Sequence, residues 1–440
     1  MTQVNQASSE QQRREAGYQR GEAFAKTMDA QDSLAHFRER FHIPKVRTAK
    51  ESIYFAGNSL GLQPKKAKQY IEQELTDWAE LGVEGHFEAM HPWLPYHEEM
   101  TEMSARLVGA KPIEVVVMNT LTVNLHLMLV SFYRPTRTKY KILIEANAFP
   151  SDQYAVASQA KFHGFDPADA IVEAKPRQGE WTLRTEDLLS LLDKEGDSIA
   201  LVLLGNANYL TGQAFEVEKL ARKAHEYDCL FGMNLAHGAG NLLLRLHDWD
   251  VDFAVWCSYK YLNAGPGGLA GCFVHERFAD NFELPRFAGW WGHNKQTRFK
   301  MGPDFDPISG AEGWQLSNPP ICQLAALRAS LEIFDEATMA AVRAKSESIT
   351  GYLEYLLTQE CGEFCSIVTP KDKAQRGSQL CLRVKGNPKS ILEALKSNNA
   401  ICDFREPDII RATPAPLYCR YIDCYRFVEI LRSCAGEVGK

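Results

Sequence analysis

The chain alternates between two hydrophobic patterns over much of its length. Short runs that are almost wholly apolar, such as residues 199–204 and 230–233, are separated by stretches in which apolar residues recur at helical spacing, as at 120–132 and 215–227. Strands buried on both faces read as continuous apolar runs, whereas the helices that cover them show a helical period. The pattern therefore predicts an α/β fold around a buried, mostly parallel sheet covered on both faces.

The same patterns predict the other elements of this part of the chain. Pro64 lies at the first turn of a predicted helix, a position that tolerates proline, and Gly109 ends another helix. Further strands are predicted at 114–118, 141–144, 251–256 and 269–274, and further helices at 24–41, 64–81, 96–108, 152–162, 321–334 and 338–357.

Beyond residue 365 the pattern changes to short strands at 366–368, 379–384 and 409–412, with a helix near 389–397. This mixture is typical of a smaller α+β domain. We expect three parts in the chain: a loosely ordered tail at 1–23, a large domain at 61–334, and a small domain formed by 24–60 together with 335–440.

Parallel sheets bind ligands at the carboxyl ends of their strands. The loops that follow the predicted strands are therefore the candidate functional segments, and they lie at 119–122, 146–152, 205–212, 234–240 and 258–268.

The composition narrows the class of protein. The 440 residues are 45% hydrophobic and 24% charged, which is ordinary for a globular chain. A net charge of −7 argues against a nucleic-acid partner. The sequence contains no apolar run of membrane-helix length and no signal-peptide core, so we expect no membrane partner. The 11 scattered cysteines predict reduced, cytoplasmic thiols, and the spacing of the 12 histidines predicts no metal site.

Lys260 is the strongest candidate for chemistry. It follows the apolar run at 251–256 and precedes a turn containing Gly265, Pro266, Gly267 and Gly268. An amine at the end of a buried strand is poorly hydrated, which lowers its pKa and suits a lysine that condenses with an aldehyde. The glycines lead into a strand and follow the lysine, so they fit neither a dinucleotide-binding loop nor a phosphate loop.

Other candidate groups lie in the neighbouring loops. The segment M-N-T-L-T joins a strand to a helix, so its free N–H groups and the Thr122 hydroxyl suit a phosphate. Each candidate also has a structural alternative. Lys260 is also explained as a surface lysine in a loop, Thr122 and Ser151 as helix caps, and His237 as an ordinary loop histidine.

Nine segments in order resemble the kynureninases, which belong to the aminotransferase class V group of pyridoxal-phosphate enzymes. The resemblance covers residues 24 to 430. The segments are F-A-G-N-S-L-G-L-Q-P, N-T-L-T-V-N-L-H, E-A-N-A-F-P-S-D, Y-L-T-G-Q, L-A-H-G-A-G-N, W-C-S-Y-K-Y-L-N-A-G, G-W-W-G-H, T-R-F-K-M and S-N-P-P.

The resemblance implies fold type I of the pyridoxal-phosphate enzymes, with a mostly parallel seven-stranded sheet and a smaller α+β domain. It also implies hydrolysis of the Cβ–Cγ bond of kynurenine or 3-hydroxykynurenine, which releases anthranilate or 3-hydroxyanthranilate and L-alanine, in tryptophan catabolism and the branch that leads to NAD. Lys260 would carry the cofactor covalently and act as general base, and Tyr259 would contact the phosphate and help to move protons. The other implied cofactor contacts are Leu121, Thr122, Phe149, Pro150, Ser151, Asp152, Gly205, Asn234, His237, Trp290 and Asn318.

The resemblance further implies a substrate pocket shared within a homodimer. Arg411 would pair with the substrate α-carboxylate, although a salt bridge at a domain edge is the structural alternative. Ser59, His86 and Asn318 would surround the substrate's aromatic ring, with His86 and Asn318 matching the form that prefers 3-hydroxykynurenine. Trp290 and Asn318 are expected to come from the partner subunit.

Asn234 departs from the family pattern, which has an aspartate there that keeps the cofactor's ring nitrogen protonated. Asparagine adds no charge, so we expect reduced turnover unless Asp152 compensates. Residues 205–207 also read G-N-A where the family usually reads S-G-V. Three hypotheses therefore stand: a working kynureninase-type hydrolase, a related class V enzyme acting on another aromatic amino acid, and a cofactor-binding relative with little turnover.

Overall fold

The computed structural model of the protein describes residues 17–46 and 48–438, so most of the predicted tail at 1–23 lies outside the described residues. The helices are α1 (Glu22–Ala30), α2 (Lys65–Leu81), α3 (Gly85–Glu88), α4 (Thr101–Val108), α5 (Leu121–Phe132), α6 (Pro150–Phe162), α7 (Pro167–Ala170), α8 (Thr185–Glu195), α9 (Val217–His225), α10 (Ile321–Ala337), α11 (Met339–Cys361), α12 (Pro388–Ser397) and α13 (Tyr421–Val438). Short 3₁₀ helices include Ala35–Arg40, Tyr96–Met100, Pro112–Glu114, Trp290–Gly292 and Ala311–Trp314.

The strands form three sheets. They are β1 (Ile53–Tyr54), β2 (Val115–Val117), β3 (Lys141–Glu145), β4 (Ile171–Ala174), β5 (Ile199–Gly205), β6 (Leu230–Asn234), β7 (Phe253–Trp256), β8 (Gly271–Val274), β9 (Cys365–Ile367), β10 (Leu380–Val384), β11 (Ala400–Ile401), β12 (Asp403–Arg405) and β13 (Ile409–Ala412).

The large sheet has seven strands in the order β2-β8-β7-β6-β5-β3-β4. Strands β7, β6, β5, β3 and β4 are parallel, and β8 runs antiparallel to both of its neighbours. This arrangement confirms the predicted α/β fold with a mostly parallel seven-stranded sheet. The five parallel strands are neighbours in the sheet, so their carboxyl ends lie along one edge. The loops after β3, β5, β6 and β7 therefore emerge together at that edge.

Helices cover both faces of this sheet because each carries an apolar stripe. On one face, Leu125 and Phe132 of α5 pack with Phe253 in a cluster of buried residues, and the rings of Phe132 and Phe253 stack at 4.9 Å between centroids. On the other face, Leu220 of α9 packs with Phe231 in a second cluster. The continuous apolar runs that predicted the strands are therefore explained by burial on both sides.

The smaller sheet is antiparallel, in the order β12-β13-β10-β9, and β1 pairs with β11 in a separate parallel pair. In β12 and β13, Asp403 and Arg411 are direct cross-strand partners. The division into a large and a small domain stays a prediction.

Two predicted helices differ from the structure. The helix predicted over 24–41 ends at Ala30, and Ala35–Arg40 forms a separate 3₁₀ helix, because the Asp32 carboxylate accepts a hydrogen bond from the Leu34 N–H at 2.9 Å and stabilises a turn between them. The helix predicted over 96–108 begins as the 3₁₀ helix Tyr96–Met100. Across the described residues, every helix is too short or too polar to cross a membrane.

Candidate active site

A cavity of about 200 Å³ opens where the predicted functional loops meet, at the carboxyl ends of β3, β5, β6 and β7. The loop after β7 carries Lys260, and its backbone is held by a hydrogen bond from the Gly61 N–H to the Tyr259 carbonyl at 2.8 Å. A side chain at Gly61 would collide with the Lys260 carbonyl, at 2.2 Å, so this close approach requires glycine. The cavity is lined by Thr120, Leu121, Thr122, Glu145, Phe149, Ser151, Asp152, Gly205, Ala207, Tyr209, Asn234, Ala236, His237, Tyr259 and Lys260.

The Lys260 amine lies inside this cavity. Its Nζ is 3.2 Å from His237 Nε2 and 5.8 Å from the centroid of the Phe149 ring. Burial lowers the pKa of the Lys260 amine, as the sequence predicted, and the Arg411 charge acts in the same direction. The neutral, nucleophilic form of the amine is therefore favoured relative to that of a solvated lysine.

One wall of the cavity suits a phosphate. Helix α5 begins there with Thr120 at the N-cap, and the Thr120 side chain accepts no hydrogen bond from the first turn. The Thr122 and Ser151 hydroxyls lie 2.8 Å apart across the cavity wall. Free first-turn N–H groups and two converging hydroxyls are donors that bind an anion.

The floor of the cavity contains a carboxylate held by an amide. Asn234 Nδ2 donates to both Asp152 carboxylate oxygens, at 2.8 and 3.0 Å, and Asn234 Oδ1 accepts from the Ala236 N–H at 2.9 Å. Burial raises the pKa of Asp152 to about 6, against the lowering effect of the bonds from Asn234 and of the Lys260 charge. Near neutral pH the floor thus carries a negative charge on Asp152.

The remaining faces of the cavity are formed by the aromatic rings of Phe149 and Tyr209 and by the imidazole of His237. The Phe149 ring meets the Tyr209 ring edge-on at 5.4 Å between centroids. His237 is buried, and burial together with the Lys260 charge lowers the pKa of its ring well below the usual range, so the ring is neutral. Its Nδ1 has no hydrogen-bond partner among the described residues.

These groups fit pyridoxal phosphate. A desolvated lysine amine suits the aldehyde, the start of α5 with Thr122 suits the phosphate, and Phe149 suits the face of a flat ring. The unpartnered Nδ1 of His237 is an orphaned buried atom that a bound polar group would satisfy. The donor set of the cavity therefore matches the parts of this cofactor.

Sequence relatives identify the family. A kynureninase of Myxococcus xanthus is 62% identical over 420 residues, covering 96% of this chain and 99% of its own length. The chain belongs to the kynureninase family. A kynureninase of Koribacter versatilis is 59% identical and one of Nematostella vectensis 47%, covering 94% and 93% of this chain and 98% and 93% of their own lengths. The family model described as the kynureninase C-terminal domain matches residues 342–431. The predicted family is confirmed.

Solved structures of lower sequence identity share the fold. The cysteine desulfurase CsdA of Escherichia coli superposes with a TM-score of 0.75 at 17% identity, covering 92% of this chain and 99% of its own. A mutant of the enzyme C-DES, described with glycine covalently linked to its PLP cofactor, superposes with a TM-score of 0.72 at 18% identity and covers 87% of this chain and 96% of its own. These likenesses confirm the predicted fold class of this kynureninase-family chain.

Several residues predicted from the family lie away from the cavity lining. Pro150 is the first residue of α6, next to the lining residue Phe149. Ser59 is exposed and lies two residues before Gly61, which contacts the Lys260 loop. Asn318 is also exposed.

Two further predicted residues of the kynureninase-type site lie among aromatic side chains. Trp290 is 40% exposed, and its indole N–H donates to the Arg298 carbonyl at 3.0 Å. The His86 ring meets the Trp93 ring edge-on at 5.3 Å, and its Nδ1 lies 3.0 Å from the Val83 carbonyl.

Arg411 is buried behind the cavity. Its Nε bonds Asp403 Oδ1 at 2.6 Å, its Nη2 bonds Asp403 Oδ2, and its Nη1 donates to the Tyr209 carbonyl at 2.7 Å. The salt bridge that was the structural alternative is therefore present. Because Tyr209 lines the cavity, Arg411 is one residue removed from it.

The cavity also contains residues outside the predicted set: Thr120, Glu145, Ala207, Tyr209 and Ala236. Glu145 ends the apolar run of β3, so an acidic residue at the carboxyl end of a strand is the signal that identifies it. Tyr209 lies in the segment Y-L-T-G-Q of a predicted loop.

Two groups within the described ranges have metal-ligand geometry: Glu114 with His247 and His275, and His97 with Glu98 and Glu312. None of these residues lines the cavity. In the first group the Glu114 carboxylate already accepts hydrogen bonds from Lys111 N, Glu276 N and His247 Nδ1.

Proposed function

We propose that the protein is a pyridoxal-phosphate-dependent hydrolase that cleaves the Cβ–Cγ bond of 3-hydroxykynurenine or kynurenine, releasing an aromatic amino acid and L-alanine. The observation that carries the proposal is a partly buried lysine amine 3.2 Å from a neutral histidine, in a cavity that also offers an anion-binding helix start. Membership of the kynureninase family confirms the predictions of an enzyme, of kynurenine cleavage and of the cofactor. A related class V reaction and a relative without turnover are not favoured.

When bound, pyridoxal phosphate supplies an electron-withdrawing ring and an aldehyde that condenses with amines. Lys260 would hold it through that aldehyde and would then remove the substrate α-proton as general base, which its lowered pKa favours. His237 accepts or donates at 3.2 Å from the same amine and thereby orients it. Tyr259, whose pKa burial raises to about 12, stays protonated and is a donor for the phosphate.

Asp152 would supply the negative charge that faces the ring nitrogen. Asn234 uses its amide N–H groups on the Asp152 carboxylate and its oxygen on the Ala236 N–H. The amide thus orients the carboxylate and stabilises its ionised form. This arrangement supports compensation by Asp152 for the missing aspartate at 234.

Arg411 would bind the substrate α-carboxylate. Asp403 and the Tyr209 carbonyl fix its guanidinium, and a guanidinium carries five N–H donors, of which these contacts use three. An N–H group that these contacts leave over, together with the positive charge, suits a second carboxylate.

The substrate's aromatic ring would lie between residues of two chains. A second copy would bring some of these residues to the cavity, because the lining of a single chain does not include Ser59, His86, Trp290 and Asn318. Exposed apolar side chains surround two of these positions, including Phe87 and Met90 beside His86 and Phe299 and Met301 beside Trp290. Such patches are typical of protein interfaces. We therefore propose a homodimer with shared sites.

An apolar groove of about 690 Å³ adjoins the turn after Lys260 and supports the same assembly. It runs between Ile43, Leu62 and Ile71 on one side and Pro266 on the other. A cytoplasmic location belongs to the same proposal and is supported by the 11 cysteines, ten of which are buried.

The function is tested by incubating the cofactor-saturated protein with kynurenine and with 3-hydroxykynurenine in parallel and measuring released alanine and the fluorescent aromatic product. We expect turnover of both, faster with 3-hydroxykynurenine. Release of neither product, in protein whose absorbance shows bound cofactor, would contradict the proposed reaction.

The shared site is tested by mixing two inactive variants, Lys260→Ala and Trp290→Ala, under conditions that exchange subunits. If Trp290 completes the partner's site, the mixed dimer contains one site with both natural residues, so activity returns on mixing. Each variant treated in the same way without the other serves as a control and should stay inactive. If Trp290 acts only within its own chain, mixing restores nothing.

A further inference from the structure

A second buried carboxyl lies in the cavity and has no part in the proposed chemistry. Glu145 is the last residue of β3, is 5% exposed, and lines the cavity together with Asp152. A carboxyl at the end of a buried strand is disfavoured unless polar partners form hydrogen bonds with it. The hydrogen-bond partners of Glu145 therefore indicate its role.

The first partner is the loop that follows β5. Glu145 Oε2 accepts a hydrogen bond from Asn208 Nδ2 at 3.1 Å. Gly205 leaves space for the other oxygen, because a Cβ at that position would lie 2.9 Å from Glu145 Oε1. The carboxyl thus fills the place that a side chain at 205 would need.

Asn208 connects Glu145 to the backbone of the loop. Its Oδ1 accepts from the N–H groups of Leu210 and Thr211, at 2.9 Å each, so one side chain joins Glu145 to the loop backbone. Tyr209 lies between Asn208 and Leu210. Its carbonyl accepts from Arg411 Nη1 at 2.7 Å, and its ring contacts Phe149.

We propose that Glu145 is a positioning residue that holds the loop 205–213 through Asn208 and thereby places Tyr209 and Arg411 for the substrate carboxylate. The proposal rests on the proposed function for the role of Arg411, whereas the effect on the loop itself does not depend on any substrate.

The ionisation of Glu145 gives the contact a pH dependence. Burial, with a contribution from the Asp152 charge, raises the pKa of Glu145 to about 7. The other titratable groups that line the cavity are Asp152 from α6, Tyr209 after β5, His237 after β6, and Tyr259 and Lys260 after β7. Ionisation changes the charge of the oxygen that accepts from Asn208, so the contact between Glu145 and the loop depends on the pH near 7.

The test compares Glu145→Ala and Glu145→Gln with the cofactor-saturated natural protein. Glu173→Ala is the matched control, because Glu173 is an exposed residue on the neighbouring strand β4. Hydrogen exchange of the peptide covering 205–213, followed by mass spectrometry, measures how firmly the loop backbone is held. Steady-state kinetics with kynurenine give KM and kcat.

For Glu145→Ala we expect exchange of the loop amides to quicken about tenfold, as loss of one hydrogen bond to a charged group would give. We also expect KM to rise about tenfold with kcat within about twofold, because Arg411 acts in binding. Glu145→Gln, which keeps the shape and an acceptor oxygen, should retain the loop contact but lose any inflection of KM near pH 7. The Glu173→Ala control should match the natural protein in every measurement.

Unchanged loop exchange in Glu145→Ala would overturn the proposal, as would a fall in kcat with normal KM, which would place Glu145 at the reacting atoms. If Glu145→Ala fails to fold, the KM profile of Glu145→Gln decides, because an inflection that persists near pH 7 excludes Glu145 as its source. If the natural protein releases no alanine, the proposed function falls, while the exchange experiment still tests the loop.

Discussion

The cofactor half and the substrate half of the site are built differently. The cofactor half, with Lys260, His237 and Asp152, is assembled at the strand ends of one sheet, and these three residues line one cavity of a single chain. The substrate half, with His86 and Trp290, lies on exposed segments away from the cavity lining. The difference teaches that sheet topology brings the proposed catalytic groups together, whereas in the proposed homodimer specificity would depend on parts that a second copy contributes.

The largest effect should come from breaking the cofactor half at its centre. We expect Lys260→Ala to lower turnover of kynurenine at least about a thousandfold, since it removes the general base and the covalent attachment of the cofactor. The measurement is alanine release together with the visible absorbance of the bound cofactor. Lys161→Ala, on the exposed side of α6, should retain both.

Arg411→Leu should affect the substrate half most. We expect KM to rise about 10- to 100-fold, the effect of losing a charged, bidentate contact, with the cofactor absorbance unchanged. Arg383→Leu, another arginine paired with an aspartate, is the control and should keep the natural KM. Because Arg411 is buried against Asp403, Arg411→Lys is measured as well. Its KM should lie between the KM of the natural protein and that of Arg411→Leu. A natural KM in both Arg411 variants would remove Arg411 from the carboxylate-binding role.

Asn234→Asp should sharpen the cofactor half. A carboxylate at 234 would add negative charge near the ring nitrogen, whereas the asparagine amide is neutral and is bonded to Asp152 and the Ala236 N–H, so we expect kcat to rise severalfold, to about tenfold. Asn234→Ala removes the amide without adding charge and should not increase kcat. An unchanged or lower kcat in Asn234→Asp would show that Asp152 already provides the full charge.

The smallest effect concerns stability. The pKa of Glu145 in the folded protein is raised to about 7 from 4.5, so its contribution to the free energy of unfolding is fully present below pH 4.5 and is lost as the pH rises toward 7. Glu145→Gln has no proton to lose there. Its thermal midpoint relative to the natural protein should therefore increase by a few degrees, corresponding to about 1–3 kcal/mol, between pH 5 and pH 8. A difference that stays constant over this interval would contradict the raised pKa.

The sequence was most informative where burial is two-sided. Apolar runs such as 199–204 predict strands of the central sheet because such a run has no other stable environment in a chain of this composition. The edge strand Ile171–Ala174 was not predicted, because only Ala174 of it is fully buried and its pattern resembles a loop. Helix Thr185–Glu195 was also missed, although its leucines have helical spacing.

Within the site, the residues that follow strands could be predicted, since strand ends converge in a parallel sheet. The partners of those residues could not. The ion pair between Arg411 and Asp403 depends on the register of β12 against β13, which neither strand specifies alone. The role proposed for Glu145 depends on the missing side chain of Gly205, which lies sixty residues later in the chain on the neighbouring strand β5, so no local pattern reveals it.

The segment before α2 contacts both the strands of the small sheet region near Arg411 and the loop that follows β7 of the large sheet. Phe55 donates its N–H to the Ile401 carbonyl at 2.7 Å and accepts from the Thr413 N–H at 2.9 Å, and six residues later Gly61 bonds the Tyr259 carbonyl. A shift of the strands beside Arg411 would therefore reach, through this short segment, the peptide bond that precedes Lys260. In the proposed function, binding of the substrate carboxylate and orientation of the reactive amine would in this way be mechanically linked.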